Sequence, residues 1–97
     1  MLEGLSKSFE NRNRLVIMTM LLNKEKLTFN ELKQELGATD GNLANHLYAL
    51  EKQQLVSSDK KFIEKKSTTS YGVTYKGKLA FKIHLSALQK ILQKNVV

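Results

Sequence analysis

The sequence contains no cysteine and no proline. Without cysteine there is no disulfide, no thiolate metal site and no thiol nucleophile. Without proline nothing reads as a stiff linker, and no internal repeat or low-complexity stretch appears. Histidine is scarce: His46 and His84 are the only two, too few for a histidine-rich metal centre without carboxylate help. No apolar run approaches the roughly 20 residues of a membrane span. The opening MLEGLSKSFENRN has no basic stretch leading into an apolar one. The expectation is a cytoplasmic protein with no membrane association, no metal and no cofactor.

What the chain does have is positive charge. In 97 residues, 16 Lys and Arg against 9 Asp and Glu leave a net +7. That excess suits a polyanion, either nucleic acid or an anionic membrane surface, although it also keeps many small proteins soluble. The length fits one domain with a small core. A chain of this size buries only about two-thirds of its unfolded surface, so a second subunit would add useful burial.

Helical periodicity organises most of the chain. Leu2, Leu5 and Phe9 form a weak, short stripe. A stronger helix is expected over 11–22, capped by Asn11 or Asn13. Its segment LVIMTMLL is apolar nearly all round, with Leu15, Met18 and Leu22 on one face and Ile17, Met20 and Leu21 on others. Such a helix should be covered on every side, by the chain's other long helix or by a second subunit. Leu27 to Phe29 reads as a brief extended piece. Thr28 and Glu31 have capping-box spacing, and the short helix they start should stop at Gly37 in a left-handed conformation. Thr39 caps the next helix, which runs to about Gln53. Two short helices around a tight glycine turn outline a helix-turn-helix over 30–53. LVSSDKKFI and SYGVTY then read as a hairpin over 55–73 with a polar tip at 64–69. Thr74 caps a last helix over 75–94, which would span on the order of 30 Å. The rest of the domain covers only part of that length, and the remainder wants another subunit.

In this order the segments resemble the winged helix-turn-helix transcription regulators, in their short MarR-like and ArsR-like forms. NRLVIMTML is similar to the first helix of such domains. TFNELKQELGATDGNLANHLYALEKQQLV is similar to their helix-turn-helix, and YGVTYKGKLAF to the segment that leaves the wing and starts the last helix. Together these span about residues 11–81. The fold class implied is mainly α with a small β-hairpin wing, one domain over 1–97 with a long C-terminal dimerisation helix. The resemblance implies a homodimeric, sequence-specific regulator of transcription that binds double-stranded DNA, with repression by promoter occlusion its commonest use. Metal sensing of the ArsR kind runs through cysteines, which this chain lacks. Whether it has a small-molecule effector is open, since most of the extra helices of larger MarR-like proteins are missing.

The residues support a DNA reading on their own. Leu43, Leu47 and Leu50 share one face of the helix after Thr39 and should be core. The opposite face carries Gly41, Asn42, Asn45, Tyr48, Ala49 and Lys52. Small and amide side chains suit a helix in the major groove, where Asn pairs bidentately with adenine, whereas a merely solvated face would carry more Lys and Glu. The candidate recognition set is Thr39, Asp40, Gly41, Asn42, Asn45, His46 and Ala49. Asp40 either reads a cytosine amino group or only favours the helix dipole. For His46 the resemblance implies a place near phosphate, and the alternative is a half-buried ring bonded to backbone. The backbone and wing set is Thr28, Asn30, Lys33, Lys60, Lys65, Lys66, Thr68 and Thr69, the wing lysines otherwise serving to guard a sheet edge. Lys76, Lys78 and Lys82 read as a solvated stripe, and His84 as structural or interfacial. Leu2, Leu5, Phe9, Leu85, Leu88, Ile91 and Leu92 are the candidate dimer interface.

Catalysis has no support: there is no serine elbow, no HExxH and no phosphate-cradling glycine loop. Two other binding classes stay open. A winged helix can serve as a protein–protein module, indifferent to Asn42 and Asn45. A sequence-neutral nucleic-acid coat would bind through lysines alone, with steep salt dependence.

Overall fold

A computed structural model describes residues 3–95; Leu2 lies outside them. A short 3₁₀ turn, Lys7–Phe9, precedes α1 (Arg12–Asn23), β1 (Leu27–Thr28), α2 (Phe29–Leu36) and α3 (Asp40–Lys52). The hairpin strands β2 (Val56–Ile63) and β3 (Lys66–Val73) follow, and α4 (Tyr75–Asn95) closes the chain. The strands form one antiparallel sheet in the order β1-β3-β2. The architecture is the mainly α fold with a small β-hairpin wing that the resemblance implies. Among the described residues no helix is long and apolar enough to cross a membrane.

Each helix start has a side chain that satisfies its unpaired amides. The Asn11 carboxamide accepts from the Asn13 and Arg14 amides at 2.8 and 3.2 Å. Thr28 Oγ1 accepts from the Glu31 amide at 3.1 Å while Glu31 returns the bond to the Thr28 amide at 2.9 Å. Thr39 accepts from the Asn42 amide at 3.2 Å, and Thr74 from the Gly77 amide at 2.9 Å. Caps of this kind are worth about 1 kcal/mol each. Helix α2 stops at Gly37, whose φ of +63° is the left-handed region that glycine enters without penalty.

Ile17, Met18, Leu21, Leu32, Leu43, Leu47, Leu50, Val56 and Phe81 make the centre of the core. Helix α1 packs on the 3₁₀ turn, α2, α3 and β3, and it is not covered all round. Val16 and Leu22 are exposed, because these neighbours meet only the face of Ile17, Met18 and Leu21. Phe9 also departs from expectation. Its ring is 2% exposed and meets Phe81 edge to face at 5.1 Å, so it is spent inside the protomer and offers nothing to a second subunit. His84 is buried and structural: its Nδ1 accepts from the Ser6 amide at 3.0 Å, and its ring meets Phe9 at 5.5 Å.

The hairpin tip is tighter than the six polar residues suggest. Only Glu64 and Lys65 form the turn, with φ of +53° and +66°, while Lys66 to Thr69 continue β3. Paired left-handed residues match the twist of two hairpin strands, so the ladder runs to Ile63↔Lys66. At non-glycine residues this conformation costs on the order of 1 kcal/mol each. Helix α4 is seated on the base of the hairpin through Gly77. A Cβ there would collide with the Leu55 carbonyl oxygen, which already accepts from the Thr74 amide and hydroxyl at 3.1 Å each.

Candidate nucleic-acid interface

The exposed side of α3 consists of Asp40, Gly41, Asn42, Ala44, Asn45, Tyr48, Glu51 and Lys52. Three buried leucines on the other side fix its rotation, so these residues face outward by construction. A Cβ added at Gly41 would meet nothing within 4 Å, so packing does not require glycine there. Ala49 is half-buried at the edge of this face, and Tyr48, outside the candidate set, is 66% exposed. Tyr48 and Ala44 follow from helical spacing alone.

Two candidate residues are partners of each other. Lys33 Nζ lies 2.7 Å from Asp40 Oδ1, a bridge that pins the end of α2 to the start of α3. Both side chains are well exposed, so the pair is worth little in stability. His46 is half-buried, but its partner is not backbone. Its Nδ1 accepts from the Arg14 Nε–H at 3.1 Å. Burial, and then the Arg14 charge, lower the His46 pKa from its ordinary value. No local pattern in the sequence announces Arg14, because the contact joins residues 32 positions apart.

Strand register sorts the wing residues into two faces. Val56, Ser58, Lys60 and Phe62 pair with Val73, Tyr71, Thr69 and Ser67 on the face that enters the core. That face also meets α3, where Ser58 Oγ donates to Glu51 Oε1. Asp59, Lys61, Ile63, Lys66 and Thr68 lie on the reverse face, where Asp59 holds Lys26 at 3.4 Å and Lys61 at 3.7 Å. Lys60 and Thr69 are therefore paired on the face that meets α3, whereas Lys66 and Thr68 lie on the reverse face and Lys65 sits in the turn. Thr28 and Asn30 meet Ser67, Thr68 and Thr69 across a polar cleft between α2 and β3. Phe62, 80% exposed on the α3 side, was not a sequence candidate. It became visible only once the turn, and with it the register, was fixed.

Of the residues expected at a dimer interface, Leu85, Leu88, Ile91 and Leu92 sit on α4. Leu85, Leu88 and Leu92 are 42, 37 and 50% exposed; Ile91 and Leu5 are half-buried. Leu79 and Ile83 add a second exposed stripe.

Comparison with known proteins places this geometry among relatives. A family model described as a winged helix DNA-binding domain matches residues 13–92. An uncharacterized protein of Methanocaldococcus jannaschii is 37% identical over 90 residues, which is 93% of this chain and 97% of that protein. The structure of a transcriptional regulator homologue from Pyrococcus horikoshii superposes with a TM-score of 0.86 at 32% identity, covering 95% of this chain and 91% of that one. HlyU from Vibrio cholerae superposes at 0.66 with 28% identity over 79% of each chain. A MepR mutant from S. aureus, at 19% identity and a TM-score of 0.75, covers 89% of this chain and 62% of its own and shares the fold alone.

Proposed function

The chain belongs to the winged helix DNA-binding domain family, and from that premise we propose that it is a sequence-specific, homodimeric regulator of transcription. Helix α3 enters the major groove of duplex DNA, the wing lies on the flanking backbone, and promoter occlusion makes the protein a repressor. The observation that carries this reading is the outer face of α3. It offers Gly41, Asn42, Asn45 and Tyr48 where an ordinary solvated helix would offer lysine and glutamate. Asn42 and Asn45 are the base readers. Thr39 holds the helix start, and Gly41 lets the backbone approach the groove. Lys33, freed from Asp40, and Lys60, beside Thr69, supply phosphate contacts on either side. Thr28 and Asn30 complete the backbone set at the start of α2.

The second subunit is held by α4. Leu85, Leu88 and Leu92 form an apolar stripe with helical spacing, and pairing it with its copy gives the burial that a small core lacks. Two heads related by a two-fold axis call for an inverted-repeat site whose halves lie about one or two helical turns apart.

The reading is tested by comparing Asn45→Ala and Lys60→Ala on a duplex selected from random sequence and on the unselected pool. Asn45→Ala should lose about 1–3 kcal/mol on the selected duplex and relax the preference at one base position. Lys60→Ala should weaken both duplexes alike. Equal losses on both duplexes for both variants would overturn the assignment of α3.

A further inference from the structure

Helix α4 is cationic along its whole length. After Glu64 the sequence contains no Asp or Glu, and Lys76, Lys78, Lys82, Lys90 and Lys94 all lie in α4. The ion pairs among the described residues join Lys26 and Lys61 to Asp59, and Lys33 to Asp40. None reaches α4. Lys78 and Lys82, and again Lys90 and Lys94, are like charges one turn apart, a spacing that destabilises a helix. Apolar side chains stand among them. Tyr75, Leu79 and Ile83 are 77, 44 and 55% exposed, and their spacing of four residues makes them one ridge. At about 100° per residue, Lys76 and Lys82 fall about 60° to either side of Leu79. Leu85, Leu88 and Leu92 fall about 120–180° away from it, on the other flank.

A groove continues this ridge where the N-terminal segment lies on α4, lined by Gly4, Lys82, Ile83, Ser86 and Lys90 among others. The segment is closely seated, since a Cβ at Gly4 would stand 3.1 Å from the Ala87 Cβ. We propose that this face of α4 is a docking site for an acidic amphipathic helix of a partner protein. The incoming helix sets two apolar side chains, one turn apart, on Leu79 and Ile83 beside Tyr75. Its carboxylates meet Lys76, Lys82 and Lys90. Such a partner covers the apolar ridge and supplies the counter-charge that the fold does not. A second copy of this face would set lysine against lysine, and a copy paired with Leu85, Leu88 and Leu92 leaves this flank uncovered. A phosphate backbone would answer the lysines and leave Leu79 and Ile83 in water. A bilayer asks for a broader apolar face than a ridge about 12 Å long with lysines on both sides. The site belongs to α4 and does not depend on the bases that α3 reads.

The test selects random peptides of about 16 residues, enough for about four helical turns, from a displayed library on the whole chain. Excess random-sequence duplex DNA is present throughout, so that acidic peptides do not collect on the DNA-binding face. The selected peptides should carry two large apolar residues at i and i+4 with Asp or Glu to either side. As synthetic peptides they should bind wild type and bind Leu79→Ser with Ile83→Ser about tenfold or more weakly, because covering one aliphatic side chain is worth about that factor. That variant should keep the circular dichroism, sedimentation and duplex affinity of wild type. Lys76→Gln with Lys82→Gln, which leaves the apolar ridge intact, should also weaken the peptides. Its deficit should shrink as salt rises from about 50 to about 300 mM, because salt screens the charges it removes.

A selection that yields no such motif would overturn the docking site. Peptides bound equally well by folded Leu79→Ser with Ile83→Ser would overturn it in favour of general attraction between acid and a basic protein. A smaller species of that variant in sedimentation would make the face a subunit interface instead. Phosphatidylglycerol vesicles that bind wild type and displace the peptides, but do not bind the variant, would make it a membrane surface. A protein that binds the peptides and no duplex would uphold the docking site and remove the reading of α3.

Discussion

Helices α3 and α4 each bury one stripe, yet what they leave in water differs in kind. Helix α3 hides Leu43, Leu47 and Leu50 and exposes glycine, alanine, amides and a tyrosine, with Asp40 at its start and Glu51 and Lys52 at its end. Helix α4 hides Gly77, Phe81, His84 and Ala87 and exposes Leu79, Ile83, Leu85, Leu88 and Leu92. Covering a leucine is worth about 1.5–3 kcal/mol against any apolar surface. Covering an asparagine is unfavourable unless its donor and acceptor are met. The first helix therefore asks for a partner with a fixed hydrogen-bond pattern, the second for one that is merely apolar and complementary. A base pair and a second copy of α4 are such partners, and the two surfaces should fail independently.

The largest effect should come from the seat that joins them. Gly77→Ala sets a methyl against the Leu55 carbonyl and should cost about 3 kcal/mol or more, read as a lower urea midpoint. Next, Leu88→Lys with Leu92→Lys should dissociate the proposed dimer by sedimentation, weakening it on the order of 100-fold, while far-UV circular dichroism and the head are unchanged. Helix α3 should show the opposite behaviour. Gly41→Ala should raise stability by up to about 1 kcal/mol and yet weaken DNA binding, an inversion that a solvated face would not show. In the wing, Lys60→Ala should cost more affinity than Lys66→Ala, because register puts Lys60 on the α3 side. Equal costs would erase that distinction.

The smallest effect concerns pH. Burial, then Arg14, lowers the His46 pKa below its ordinary 6.5. Below that value the unfolded chain takes up a proton that the folded chain resists. The stabilising contribution is therefore whole above pH 6.5 and lost as pH falls through the lower folded value. Urea midpoints from about pH 8 down to about pH 5 should fall, and less so in Arg14→Ala, which removes the second cause of the shift.

How far the fold was legible depended on the range of the signal. Thr28 with Glu31, Gly37, Thr39 and Thr74 are local chemistry, and the helix ends fall where they point. The three leucines of α3 have a clear period, so its outer face followed from the sequence. Helix α1 has no clear period, and an all-apolar segment cannot say which side meets the core; hence the exposure of Val16 and Leu22 went unforeseen. Glu64 and Lys65 are residues that no turn rule favours in the left-handed region, so the tip and the faces of the wing were not readable. The pairing of Arg14 with His46 and the burial of Phe9 against Phe81 are tertiary contacts, made only when the helices assemble.

The central claim is that α3 reads bases as half of a dimer. Selection of the purified protein on random duplex DNA, sequenced after several rounds at about 150 mM salt, tests it most directly, because that salt handicaps binding to phosphates alone. The account predicts enrichment of an inverted repeat with half-sites about one or two helical turns apart. Folded protein that enriches no sequence would contradict it.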